Sequence, residues 1–512
     1  MAFALRGVPG LRGLHDLRGP AAVALAYTLV QLVLVVPGTG LGWDETVYVS
    51  QVSPDVPAAF FSAPRARGIT YLVAPAVLLS SDPAVLRSYL AVLSGAALFL
   101  SLAVWRPLLP ARVLTVAGAL FAGLWVTVLY GPQAMPNLWV AYGVLIAVGC
   151  FLRAAASTSA AGSRGALAGL AAAVCGVALM RPPDAVWLVF ALGASALVVR
   201  RWRRPALLVV LAAGALLGAA EWLVEAELRY GGVVPRLRRA SEIQGHLGWY
   251  PGALLDQLHA LDGRTLCRPC GPEWRWPATG LWWFLVPLAV AAGLVVAVRR
   301  AAPAAREALL LAAVTGGVLA VPYLFLIGYA APRFLLPAYV LLALPAAAGV
   351  SALAARGPVL LGAVACVALG HVAVQYSVLD AAVERSRATR AAFARVAEQL
   401  RAEGVRPPCV VSGHEAVRVA YRLGCSSRQV GGHDHSLTGG ALRAAARERP
   451  VVVLVAEGHP VPAYAGDWRR LPLQPLPGLS AFRAHLAPMP SFSSTVRQHD
   501  IRKTTSNRPS SG

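Results

Sequence analysis

The sequence predicts a polytopic α-helical membrane protein, and three observations predict it. The 512 residues are 57% hydrophobic and only 14% charged, whereas a soluble domain carries roughly a quarter charged residues. Mean hydropathy is +0.60, too apolar to clothe a water-soluble globule. The apolar residues are also gathered into long runs, and about 20 in a row is what a helix needs to cross the hydrocarbon core with its backbone satisfied.

About eleven such runs follow one another, near 21–38, 88–105, 111–130, 136–153, 164–181, 184–200, 205–224, 279–298, 307–328, 334–355 and 357–379. Residues 1–20 hold Arg6, Arg12 and Arg18, and the first run has no small-residue cleavage site. That run therefore reads as an uncleaved span behind a cytoplasmic segment. The stretch Ile69 to Ser80 is too short to cross and suits a helix lying in the interface.

Leaving that stretch out of the count makes the charges fall into place. With the N-terminus inside, the inner loops hold Arg106, Arg112, Arg153, Arg164, Arg200, Arg201, Arg203, Arg204, Arg299, Arg300, Arg306 and Arg356. The outer hairpins 131–135, 182–183 and 329–333 are nearly bare of cations, as the positive-inside rule asks. The loops 39–87 and 225–278 and the C-terminal segment then share the outer side. The formal charge of +22, from 46 Lys+Arg against 24 Asp+Glu, would suggest nucleic acid in a soluble protein. Here the arginines punctuate spans and face anionic lipid, so membrane lipid is expected as a partner and nucleic acid is not.

The loop 225–278 carries Trp249, Tyr250, Trp274 and Trp276, which suit either an interfacial belt or sugar stacking. After Leu379, the end of a transmembrane domain 21–379, the composition changes. Arg385 to Glu403 reads as an amphipathic helix, Cys409 to Val411 as a short strand and Glu415 to Leu423 as a helix. Pro450 to Ala456 reads as a second strand, with edge strands within Trp468 to Leu486. This is a small extracytoplasmic αβ domain over 380–489, followed by a Ser-, Thr- and Arg-rich tail, 490–512, expected to be disordered.

Cys267, Cys270, Cys409 and Cys425 all fall on the expected outer side, an even number in an oxidising compartment. Cys409 with Cys425 and Cys267 with Cys270 are candidate bridges. A zinc site from all four lacks conventional paired spacing.

Directly behind the first run stands Gly42-Trp43-Asp44-Glu45-Thr46-Val47-Tyr48. A charge at the membrane boundary needs a partner or a role. Adjacent residues point different ways, so at most one acid faces a reaction centre. The other caps the following turn or pairs with an arginine. The bland alternative for the pair is an N-cap on a helix from Thr46 to Val52. Outer-side arginines supply the context: Arg65, Arg67, Arg87, Arg181 beside Pro182-Pro183-Asp184, and Arg333 within Pro332-Arg333-Phe334. Guanidinium groups at headgroup level suit a phosphate, although each singly also fits a snorkelling side chain.

Asp-Glu-x-x-Tyr in the first outer loop (Asp44, Glu45, Tyr48), an interfacial helix after it, about eleven spans and an outer C-terminal domain together resemble the GT-C superfamily of polyprenyl-phosphate-sugar-dependent glycosyltransferases. The aminoarabinose-transferase and protein O-mannosyltransferase branch is the nearer one. Pro332-Arg333-Phe334 is similar to the Pro-Arg-Tyr that opens a late span there, and Pro136-Asn137 is a weaker echo. The resemblance covers residues 20–380. Where some members carry a Lys-Pro-Pro-like segment, this chain has Ala63-Pro64-Arg65-Ala66-Arg67-Gly68. The first loop has no Asp-x-Asp, so neither metal nor other cofactor is expected.

The resemblance implies a membrane glycosyltransferase that moves a sugar from a polyprenyl-phosphate donor to an envelope lipid, glycan or protein with inversion. Asp44 would be the general base, and Glu45 would orient the acceptor or hold an arginine. Arg333 would bind the donor phosphate, with Arg67, Arg181 and Arg65 as alternatives, and Tyr48 and Trp43 would position substrate. Three rivals remain. A transporter or flippase could use Glu221 and Glu225, but it predicts polar residues in mid-span and internal repeats, which are not evident. A scaffold for envelope assembly would leave the Asp44–Glu45 placement idle. A lipid-carrier-dependent ligase would share donor and topology.

Overall fold

The computed structural model describes residues 17–488 except 158, 269, 272–275, 433 and 475–480. Arg6, Arg12, Trp274 and the tail 490–512 lie outside the described residues.

Among the described residues, nine helices are long and apolar enough to cross a membrane. They are α1 (Arg18–Val30, continued by a π turn to Val35), α4 (Pro83–Ala103), α7 (Pro136–Ala156), α8 (Ala160–Met180), α10 (Pro205–Tyr230), α13 (Leu281–Arg300), α14 (Pro303–Val321), α15 (Leu336–Ala354) and α16 (Pro358–Ala402). The other two expected spans take different forms. The run 184–200 is the 17-residue helix α9 (Pro182–Val198). The run 111–130 is split into α5 (Ala111–Ala122) and α6 (Trp125–Tyr130). Leu124 between them is extended, and the freed Trp125 N–H donates to the Gln375 side chain at 2.8 Å. A buried polar side chain on α16 thus supplies the acceptor the break leaves missing.

The chain is a multi-pass membrane protein. Helices α7 and α15 run through its centre, 78% and 83% buried, while α13 at 11% turns its large apolar side chains outward to where lipid would lie. At the contact of α13 with α15 the backbones nearly touch. A Cβ on Gly293 would collide with the Pro345 carbonyl, and one on Gly349 would come within 2.7 Å of the Ala289 carbonyl. Small residues are what allow such close crossings where water supplies no hydrophobic drive.

Two short helices, α2 (Trp43–Ser50) and α3 (Gly68–Leu79), lie in the loop after α1. Helices α11 (Val233–Ile243) and α12 (Ala253–His259) lie in the loop after α10. Side-chain bonds tie these loops together at one end of the bundle.

The amphipathic helix expected over 385–403 is the upper part of α16, not a separate element. No Gly or Pro interrupts 371–402, and its Ala, Arg, Glu, Leu and Gln are strong helix formers, so one 45-residue helix runs from the bundle into the C-terminal unit. There a five-stranded sheet has the order β2-β1-β3-β5-β4, with β1 (Val410–Gly413), β2 (Ser426–Ser427), β3 (Val451–Ala456), β4 (Arg469–Pro472) and β5 (Phe482–Leu486). β1 pairs in parallel with both β2 and β3, whereas β3–β5 and β4–β5 are antiparallel. Every residue of β3 is buried, as a central strand covered on both faces should be. Helices α17 (Ala416–Leu423) and α18 (Gly439–Ala445) pack on this sheet. Disulfides join Cys409 to Cys425 and Cys267 to Cys270.

Candidate active site

Helix α2 separates its two acids by the helical period. Asp44 and Tyr48, four apart, share a face, and Glu45 turns about 100° away from them, into the protein. Glu45 is 2% exposed and both its oxygens are taken. Arg87 donates to Oε1 at 2.6 Å and to Oε2 at 2.8 Å, the Ala134 N–H donates to Oε1 at 2.7 Å, and the Gly42 N–H donates to Oε2 at 2.8 Å. The last bond closes the N-terminal turn of α2. Glu45 therefore anchors the helix and holds an arginine, with no lone pair left over for a substrate.

Asp44 remains 37% exposed in its side chain and lines a cavity of about 1060 Å³ together with Trp43, Tyr130, Thr265 and Arg333. Arg65 Nη2 reaches Asp44 Oδ1 at 2.8 Å and Arg333 Nη2 reaches Oδ2 at 3.3 Å. Burial alone would raise the Asp44 carboxyl, but the guanidiniums of Arg65 and Arg333 outweigh it and hold it below the ordinary 3.8. Arg181 acts on it in the same direction.

Arg333 opens α15 from a 3-10 turn, Pro332–Leu335. Its Nη1 donates to the Thr265 carbonyl at 2.8 Å and to the Tyr130 hydroxyl at 3.2 Å. Its Nε is buried and has no acceptor among the described residues. A buried guanidinium N–H without a partner is an open position for an anion. Arg181 is held by Asp184 at 2.6 Å and donates to the Tyr323 hydroxyl at 2.9 Å, with its guanidinium 5.2 Å from the Phe334 ring centre. Tyr48 is buried, 5.2 Å from the Arg65 guanidinium. Burial raises its hydroxyl above the ordinary 10.0.

Arg67 does not join this group. It pairs with Glu221 at 2.9 Å and Glu225 at 2.8 Å. Glu225 also meets Arg236 at 2.9 Å, so both acids a transporter would use are tied to arginines.

Two contributors escaped sequence reasoning. Arg236, on α11, is fully buried and donates to the carbonyls of Ala63, Trp222 and Arg65 at 3.1, 2.7 and 3.1 Å. It clamps the segment that aims Arg65 at Asp44. Within the charged run Pro235-Arg236-Leu237-Arg238-Arg239 nothing distinguishes it from its solvated neighbours. Tyr130 sits in an apolar run and reads there as span. Among the described residues, no group of three or more His, Cys, Asp or Glu could hold a metal ion.

No family model matches the chain, and no curated protein matches it by sequence. Solved structures do match. ArnT from Cupriavidus metallidurans bound to undecaprenyl phosphate superposes with a TM-score of 0.65 at 12% identity, covering 94% of this chain and 99% of that one. The apo state of the same protein gives 0.62 at 14% identity, covering 91% and 97%. At such identities the likeness is one of fold, and it extends over the bundle, the loop helices and the sheet. The chain shares the fold of ArnT.

Proposed function

We propose that the protein is a glycosyltransferase that moves a sugar from a polyprenyl-phosphate donor to an acceptor hydroxyl with inversion. One observation carries this reading: Asp44 is exposed to a cavity between Arg65 and Arg333, in a fold whose solved example holds undecaprenyl phosphate. Polarity follows from chemistry. The leaving group is a phosphate, which calls for cations at its departure, and the attacking hydroxyl calls for a carboxylate on the opposite side of the anomeric carbon.

In the resting site Asp44 is bridged to both arginines and is a weak base. The 3.3 Å contact to Arg333 is the longer. A donor phosphate that engages Arg333 Nη2 and the unpartnered Nε loosens that contact, and Asp44 regains basicity as substrate arrives. Asp44 then takes the acceptor proton while the C–O bond to the phosphate breaks and the new glycosidic bond forms. Positioned base help is worth about 10²–10⁴ in rate, and cations aimed at the developing charge contribute further. Arg65 and Arg181 steady the site, Glu45 with Arg87 fixes α2, Trp43 lines the sugar's side, and the buried Tyr48 backs Arg65. The cavity belongs on the outer face of the membrane, with residues 1–20 inside.

The test is transfer of labelled sugar from a polyprenyl phosphate by the purified protein, against substrate flux in vesicles. Asp44→Asn should lower turnover by about 10²–10⁴-fold with undecaprenyl phosphate binding kept or strengthened, because Arg333 is freed. Unchanged turnover in that variant refutes the base, and flux without transfer refutes the enzyme.

A further inference from the structure

The cavity has a second charged wall that the reaction above does not use. It is formed by Arg390 and Arg401 of α16 and by Arg418 and Arg422 of α17. Their partners differ in kind. Arg390 donates to the Thr39 carbonyl at 3.2 Å and so braces the loop that leads into α2. Arg418 is paired with Glu415 at 2.5 Å and lies 4.5 Å from the Phe393 ring centre. Arg401 donates to the backbone carbonyl of Arg422. Arg422 itself is half-buried, and no carboxylate pairs with it among the described residues. What surrounds Arg422 is cationic: burial first, then Arg390, Arg401 and Arg418, all pull its guanidinium below the ordinary 12.5. Acids are scarce on this wall. Glu415 is engaged by Arg418, Glu398 is exposed at the rim, and Asp55 lies beside Tyr421.

A half-buried cation with no counter-ion, as Arg422 is, destabilises a fold, whereas Arg401 beside it is exposed. Beside the Arg418–Phe393 and Arg401–Arg422 contacts, α16 meets α17 through Phe393, Val396, Ala397 and Leu400 and through Ala416, Val419, Ala420 and Leu423, and this packing does not use the Arg422 guanidinium. Guanidinium groups gathered on one wall suit the oxygens of a phosphate or carboxylate.

We propose that Arg401 and Arg422, with Arg418 beside them, form a second anion site that holds a phosphate or carboxylate carried by the acceptor. This rests on the transferase reading. It adds that the acceptor is anionic and enters from the side of the C-terminal unit, with its hydroxyl turned toward Asp44. The donor phosphate belongs to Arg333, which lines the same cavity.

The experiment uses the full chain in neutral-lipid nanodiscs, titrated with glucose 6-phosphate, with glucose, and with undecaprenyl phosphate. Wild type should bind glucose 6-phosphate and not glucose, equally well with or without saturating undecaprenyl phosphate. R401Q/R422Q should weaken glucose 6-phosphate binding by about tenfold or more and leave undecaprenyl phosphate binding unchanged, and R401K/R422K should restore part of the loss. Should the double glutamine variant not fold, R422Q alone carries the test. Normal binding of glucose 6-phosphate by the glutamine variant, or its displacement by undecaprenyl phosphate, overturns the proposal. Failure of wild type to bind undecaprenyl phosphate would count against the transferase reading instead, so the two failures are distinguishable.

Discussion

Asp44 and Glu45 are neighbours with opposite fates, and the difference is set by one step of a helix. Glu45 and Arg87 form a buried pair with side chains 3% and 2% exposed. Removing one partner strands the other without water, so Arg87→Ala should destabilise the protein by about 3–5 kcal/mol, read as a lowered thermal unfolding midpoint in detergent. Arg333→Gln should behave differently. It keeps the fold and weakens undecaprenyl phosphate binding by about 10–100-fold. Asp44 also makes a pH prediction. Its carboxyl is held below 3.8 in the folded protein and, as the proposed base, must be ionised, so the acid limb of kcat/KM should lie below 3.8 rather than above it. Its ion pairs contribute stability in full above the unfolded value and lose it as pH falls through the lowered folded value. A limb above 3.8 would mean that another group controls the rate. At this scale Asp44, Arg65 and Arg333 are legible in the sequence because charges at a membrane boundary are few. Arg236 and Tyr130 are not, since their importance lies in contacts made across 171 and 203 positions of the chain.

Helices were legible as elements wherever an apolar run was long, because length and hydropathy suffice to define a span. The broken run 111–130 was not, since its break is stabilised by Gln375, 250 residues away. Nor was the continuity of α16, where a change of composition at Leu379 suggests a boundary that the backbone does not make. After 403, helix α17 and strands β1, β3, β4 and β5 follow from local pattern, whereas β2, α18 and the order of strands do not. Packing between elements gives its own prediction. Gly293 lies against the Pro345 backbone, which cannot swing aside as a side chain could. Gly293→Ala should therefore push α13 from α15 and cost about 1–3 kcal/mol, measured as lost thermal stability with undecaprenyl phosphate binding retained until the protein unfolds. No change in stability would show that the two helices cross elsewhere.

At the scale of the whole molecule, the loops 39–82 and 231–276 and the sheet meet at one end of the bundle, and the cavity lies where they meet. In the proposed orientation that end lies outside. His414→Cys, exposed beside β1, and Arg356→Cys, exposed before α16, should respond oppositely to a membrane-impermeant maleimide on intact cells: the first labelled, the second protected until lysis. The reverse pattern would invert the topology and remove the site from the outer leaflet.

Helix α16 crosses the bundle and goes on to carry Arg390 and Arg401 into the cavity. At 45 residues it is a rod of about 67 Å, with no proline or glycine in its upper two thirds to act as an elbow. A rod cannot swing at one tip alone. Movement of its upper part is carried down as far as Gly370 and Gly362, beside Leu361, Val367 and Leu369, all exposed on the bundle's flank. Motion of the cavity's wall is thereby coupled to the one helix that also runs along the bundle.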